Sequence, residues 1–197
     1  MSENLNKQFL IAMPSMEDPN FSRSVTVICE HSKEGAMGIT INQPTTMFVD
    51  EILSNYQSND GSTCSKKETP SFIDALHSDA LVYAGGPVQM DRGFILHDSK
   101  QQWDSTLSID NDLKLTTSED ILIDIAQGQG PKNSLIALGY AGWSAGQLEE
   151  ELANNAWLTV PYDANIVFNM PVEKRWQAAA NKIGVDLHLI SNQTGHA

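Results

Sequence analysis

Cysteine is scarce in this sequence. Cys29 and Cys64 are the only two in 197 residues, and they stand far apart in unlike settings. Neither forms a C-x-x-C pair, so the chain offers no disulfide framework and no paired-thiol metal or redox motif. Positive charge is also scarce: 12 Lys and Arg face 25 Asp and Glu, for a formal net charge of −13. Such a surface repels phosphate backbones and no local basic cluster offsets it, which argues against direct nucleic-acid binding and against an acidic membrane as partner. Long apolar runs are missing too. Phe9–Met13 is too short for a signal h-region, and no segment approaches the roughly 20 apolar residues that span a bilayer. A cytoplasmic location is the expectation. The five histidines lack H-x-x-x-H and H-E-x-x-H spacing, and neither a P-loop nor a dinucleotide glycine pattern occurs. No metal and no cofactor are expected.

What is present suits one domain over residues 1–197, since 41% of residues are hydrophobic and can build a sizeable core. Phe9–Met13 reads as a strand stopped by Pro14. Ser24–Glu30 and Ala36–Ile41, joined by a short turn with Gly35, read as a hairpin that places Val25, Val27 and Cys29 on one face. Phe48, Ile52 and Leu53 fit a short amphipathic helix. From about 56 to 71 the composition turns polar, as in a solvated loop insert. Strands are predicted at 80–83, 92–97 and about 106–109. Thr116 with Glu119 forms a capping box before the stripe Ile121, Leu122 and Ile125. Further strands are predicted at 157–160, 165–168 and 186–190. Pro171 opens a last helix carrying Val172, Trp176, Ala179, Ala180 and Ile183 on one side. Strands and helices mix without strict alternation, which favours α+β over a doubly wound sheet.

The segment Gly142-Trp-Ser-Ala-Gly146 carries the sharpest chemical pattern. It matches a G-x-S-x-G nucleophile elbow between an apolar strand and a helix, with Ser144 as nucleophile. Asp163 or Asp186 and then His188 or His196 follow in the right order, and Gly85 with Gly86 could supply oxyanion donors. The competing reading is a capping box, Ser144 with Gln147, which starts an ordinary helix and needs no partners. Glu149, Glu150 and Glu151 favour the cap, because they would oppose negative charge developing at the helix start.

Other candidates are fewer. Cys29 beside His31 allows a reactive thiol acting as a redox sensor; its apolar neighbours on the strand argue instead for the core. Cys29 and Glu30 point to opposite faces and cannot chelate together. Arg23 and Arg92, with His31, are candidate contacts for a partner protein or a small anionic ligand, the alternative for each arginine being a nearby carboxylate.

Several blocks stand in a fixed order: Phe9-Leu-Ile-Ala-Met-Pro14, Asp18-Pro-x-Phe-x-Arg-Ser24, Ile28-Cys-Glu-His31, Gly35-Ala-Met-Gly-Ile-Thr-Ile-Asn42, Gly85-Gly-Pro-Val88 and Arg92-Gly-Phe-Ile-Leu-His97. Leu115-Thr-Thr-Ser-x-Asp-Ile-Leu122, Leu138-Gly-Tyr-Ala-Gly-Trp143, Gly146-Gln-Leu-Glu149, Asn155-x-Trp-Leu158 and Gly195-His-Ala197 complete the set. In these blocks the chain resembles the YqgE/AlgH family of small bacterial proteins over nearly its whole length. The resemblance implies an α+β fold with a curved, mixed, mostly antiparallel sheet like a partial barrel, flanked by helices. It implies no established enzymatic activity and no accepted catalytic residues. It also implies a regulatory role, because some members are described as transcriptional regulators. A non-enzymatic binding or regulatory domain acting through partners is therefore the leading expectation, with a serine hydrolase at Ser144 and a thiol sensor at Cys29 as alternatives.

Overall fold

The computed structural model describes residues 4–57 and 80–191. The polar insert expected at 56–71 lies almost wholly outside them. The chain opens with β1 (Gln8–Ala12), β2 (Val25–Ser32), β3 (Gly35–Thr40), β4 (Pro44–Phe48) and α1 (Val49–Gln57). There follow β5 (Leu81–Ala84), β6 (Val88–His97), β7 (Thr106–Asp110), β8 (Leu113–Thr116) and α2 (Asp120–Ala126). The last part holds β9 (Ser134–Ser144), α3 (Gln147–Ala153), β10 (Trp157–Pro161), α4 (Ala164–Phe168), a 3-10 turn (Val172–Lys174), α5 (Arg175–Asn181) and α6 (Leu187–Ser191).

The strands form one sheet in the order β10-β1-β2-β3-β9-β6-β8-β7, with β5 on β9 and β4 on β5. Every described pairing is antiparallel except β5 with β9. This is the curved, mostly antiparallel α+β sheet that the resemblance implies. Strand β9 lies at its centre because its run Leu135-Ile-Ala-Leu138 is apolar on both faces and can be covered from both sides. The sheet curls far enough that Lys7, just before β1, forms an ion pair with Asp110 at the end of β7, although these strands lie near opposite ends of the order.

Alternation sorts the side chains between two faces. Phe9, Val25, Val27, Ile39, Phe94, Leu96, Leu115 and Leu135 fill the inner face with Val167 and Trp176 of the C-terminal helices. Val82, Ile95 and Ile136 point the other way, onto Leu53 of α1 and Ile121 and Ile125 of α2. A third cluster joins Leu10, Ile28, Trp143, Leu148 and Trp157 beneath α3. Each such side chain contributes roughly 1.5–3 kcal/mol when fully buried.

Four local expectations need correction. Phe48 ends β4, 39% exposed, and only Ile52 and Leu53 belong to the helix. Thr116 is the last residue of β8, not a helix cap: its hydroxyl meets His97 and Thr106, while Ser118 and Asp120 order the start of α2. Residues 165–168 are helical because the Asp163 side chain accepts the Asn165 N–H at 3.0 Å and caps α4. Residues 187–191 are helical as well. Both are short apolar runs, for which periodicity does not separate strand from helix.

Candidate functional site

Strand β9 ends at Ser144, and the chain turns through Ala145 and Gly146 into α3. The left-handed residue of this turn is Gly146 (φ 78°), and Ser144 has no positive φ. The strained serine of a nucleophile elbow is thus replaced by a relaxed strand end followed by a glycine hinge. The Ser144 hydroxyl donates to Oε1 of Gln147 at 2.9 Å, and the same oxygen accepts the Ser144 N–H at 3.0 Å. That is the return half of the capping box expected here. The forward half is absent, since the hydroxyl meets the Gln147 side chain rather than its amide.

The glutamates that follow hold the helix in place. Glu151 Oε2 accepts from both buried indoles, Trp143 Nε1 at 2.9 Å and Trp157 Nε1 at 2.7 Å, while its Oε1 accepts from Gln147 Nε2 at 2.9 Å. Phe21 stacks on Trp143 and meets Trp157 edge-on. Glu149 Oε1 lies 3.1 Å from Nε2 of His31 on β2. Nδ1 of His31 accepts the Leu5 N–H at 3.2 Å, so in the neutral ring the proton sits on Nε2 and is donated to Glu149. Three sequence blocks, Gly142-Trp143, Gly146–Glu149 and Asn155-x-Trp157, therefore meet in one hydrogen-bonded junction.

Ser144 hydrogen-bonds Gln147, and the candidate acid Asp163 is engaged elsewhere. Asp163 caps α4 and pairs with Lys182 at 2.8 Å, and that lysine holds its carboxyl below the usual range. The Gly85 N–H donates to Leu138 O at 2.8 Å and so is not free for an oxyanion. His188 lies in α6, and His196 lies outside the described residues.

Cys29 is buried on the β2 face that carries Val25 and Val27, at a bulge where β2 slips by one residue against β3. Burial pushes its thiol far up, the Ile39 backbone opposes this, and Glu30 adds to it. Thiolate chemistry needs the reverse. Neither Arg23 nor Arg92 makes an ion pair with a described residue. Arg23 lies over the Trp176 ring at 5.5 Å, and Arg92 lies over Phe94 at 5.8 Å and donates to Thr117 Oγ1 at 3.1 Å. Among the described residues no three His, Cys, Asp or Glu side chains gather to hold a metal ion, and no helix is long and apolar enough to cross a membrane.

Sequence reasoning missed two features. One is the convergence of both indoles on Glu151, a residue that the sequence presents only as a charge opposing an oxyanion at the helix start. The other is Arg175, a buried cation in α5. Its signal was available: position 175 falls one residue before Trp176 and four before Ala179, inside the apolar stripe.

A family model described as AlgH-like matches residues 9–188. A UPF0301 protein of Thioalkalivibrio sulfidiphilus is 50% identical over 196 residues, covering 100% of this chain and 98% of that protein. Another, from Yersinia enterocolitica, is 49% identical over 196 residues and covers 98% and 100%. The solution structure of the AlgH protein from Pseudomonas aeruginosa superposes with a TM-score of 0.74 at 46% identity, over 100% of this chain and 98% of that one. The crystal structure of DIP2367 from Corynebacterium diphtheriae shares the fold, with a TM-score of 0.69 at 22% identity over 96% and 93%.

Proposed function

This chain belongs to the AlgH-like family, and from that premise we propose that it is a non-enzymatic binding and regulatory domain. It works in the cytoplasm, and it influences transcription through a protein partner or a small anionic ligand rather than by holding DNA itself. The observation that carries this reading is the engagement of the Gly142–Gly146 segment. Its one nucleophilic hydroxyl is bound to Gln147, and the residues around it serve to dock α3. The net charge of −13 supports the indirect route, because a strongly acidic surface opposes a phosphate backbone.

The test combines chemistry with genetics. A fluorophosphonate probe leaves Ser144 of the native protein unlabelled, and the pure protein gives no specific gel shift at physiological salt. Transcript levels change in a strain lacking the protein and return equally with the wild type and with Ser144→Ala. Labelling at Ser144, or a folded Ser144→Ala variant that fails to restore transcripts, would overturn the non-enzymatic reading. Tight sequence-specific DNA retention would overturn the indirect route.

A further inference from the structure

Arg175 opens α5 and is 5% exposed. Among the described residues no carboxylate comes within ion-pair distance of it. Its Nε donates to the Met170 carbonyl at 3.0 Å, its Nη1 donates to the Ile41 carbonyl, and its guanidinium carbon stands 5.1 Å from the centre of the Tyr83 ring. Two carbonyls and a ring fix the plane of the group without cancelling its charge. A guanidinium has five N–H donors; these carbonyls take up two, and the Tyr83 side chain is a further hydrogen-bond partner. The carboxylate whose field reaches it, Glu173, is on the exposed side of the 3-10 turn. Burial lowers the pKa of Arg175, yet an arginine stays protonated in proteins. A buried charge that stays charged calls for a counter-ion.

The same side chain lines a cavity of about 230 Å³. Its apolar walls include Val49 of α1, Ile125 of α2 and Val167 of α4, and its polar groups, besides Arg175, include Tyr83 and Ser134. The space lies where the cluster under α1 and α2 meets the cluster under α4 and α5. At ~30 Å³ per water it holds about eight water-sized groups. Among the described residues the lining side-chain donors are one guanidinium and two hydroxyls, which suits one oxyanion attached to an apolar body.

We propose that this cavity is a binding site for a small aliphatic monocarboxylate, with the carboxylate on Arg175 and the hydrocarbon between Val49, Ile125 and Val167. A planar carboxylate matches the guanidinium fork, whereas a phosphate would leave further oxygens against apolar walls. The site gives the small anionic ligand of the regulatory reading a place to bind, and its occupancy is tested separately from that reading. An inactive regulator could still bind, and an empty cavity would not remove a protein partner.

The experiment is a titration of ¹⁵N-labelled full-length protein, followed by amide resonances, with hexanoate, hexan-1-ol and inorganic phosphate. Hexanoate is expected to shift Tyr83, Ser134, Val167 and Arg175 saturably, with hexanol at least tenfold weaker and phosphate without effect at these residues. Leu81→Trp, which fills the cavity from β5 and leaves residue 175 an arginine, is expected to abolish the shifts while preserving the remaining spectrum. Should that variant misfold, Val49→Phe narrows the same cavity from the start of α1. Arg175→Lys is expected to weaken hexanoate at least tenfold. The proposal is overturned by no saturable shift with hexanoate in the native protein, by hexanol binding as tightly, by phosphate displacing hexanoate at equal concentration, or by hexanoate binding that survives a folded cavity-filled variant.

Discussion

Trp143 and Trp157 give their indole N–H groups to one atom, Oε2 of Glu151, at 2.9 and 2.7 Å. The first indole closes the central strand and the second opens the edge strand β10, so one carboxylate ties the helix between them to both. Hydrogen bonds to a charged group are worth about 1.5–3 kcal/mol each, and a buried indole left without an acceptor carries its own cost. Glu151→Ala is expected to lose about 3–4 kcal/mol in urea denaturation followed by tryptophan fluorescence. Glu151→Gln keeps an oxygen for both indoles and is expected to lose less than half of that.

Ser144→Ala removes one exposed hydroxyl, while Gln147 keeps the backbone N–H of residue 144. The expected loss is about 0.5–1 kcal/mol, measured in the same denaturation experiment.

His97 supplies a pH dependence. Its ring is fully buried, with Nε2 at 2.8 Å from the Thr116 hydroxyl and Nδ1 without a partner among the described residues. Burial first, and then the charge of Lys114, push its pKa down to about 4, against the pull of Asp98. The unfolded chain binds this proton near pH 6.5 and the folded chain does not until about pH 4. Stability from His97 is therefore complete above about pH 6.5 and falls as the pH drops toward 4, by on the order of 3 kcal/mol in all. His97→Gln is expected to flatten the urea midpoint between pH 6.5 and 5 relative to the wild type.

Two glycines with similar φ separate strain from collision. A Cβ at Gly146 (φ 78°) meets nothing within 4 Å, whereas at Gly139 (φ 71°) it falls 2.4 Å from the Gly86 carbonyl oxygen. Gly146→Ala is expected to cost about 1–2 kcal/mol, the left-handed penalty alone. Gly139→Ala forces β9 away from the loop after β5 and is expected to cost more than about 4 kcal/mol, or to prevent soluble expression.

Cys29 is expected to be inert. In a Cys64→Ser background, the native thiol should react with Ellman's reagent at least about a hundredfold more slowly than after urea unfolding. Fast labelling of the native protein would contradict the buried, raised-pKa setting.

The sequence carried the strands and helices wherever periodicity was long or punctuation clear. The hairpin of β2 and β3 and the placement of Cys29 beside Val25 and Val27 followed from alternation alone. The curved sheet was legible through the family blocks rather than through local pattern. The strands expected at 165–168 and 186–190 are helical, because so short a run with few apolar residues fits either period. Glu151 and Arg175 were not legible as partners. Their contacts, from Glu151 to the indoles of β9 and β10 and from Arg175 to the Ile41 carbonyl 134 residues away, depend on packing that no short window contains.

The central place of β9 sets an order of events as the chain is made. Residues 134–144 supply partners to β3, β5 and β6, all of which come earlier, and β1 waits for β10 at residues 157–161. The β2–β3 hairpin can close early from local contacts, but the sheet has no middle until two-thirds of the chain has left the ribosome. Until then its strands present open edges. A chain arrested before residue 134 has emerged is a sticky fragment, whereas one that has emerged through residue 161 has a sheet able to close.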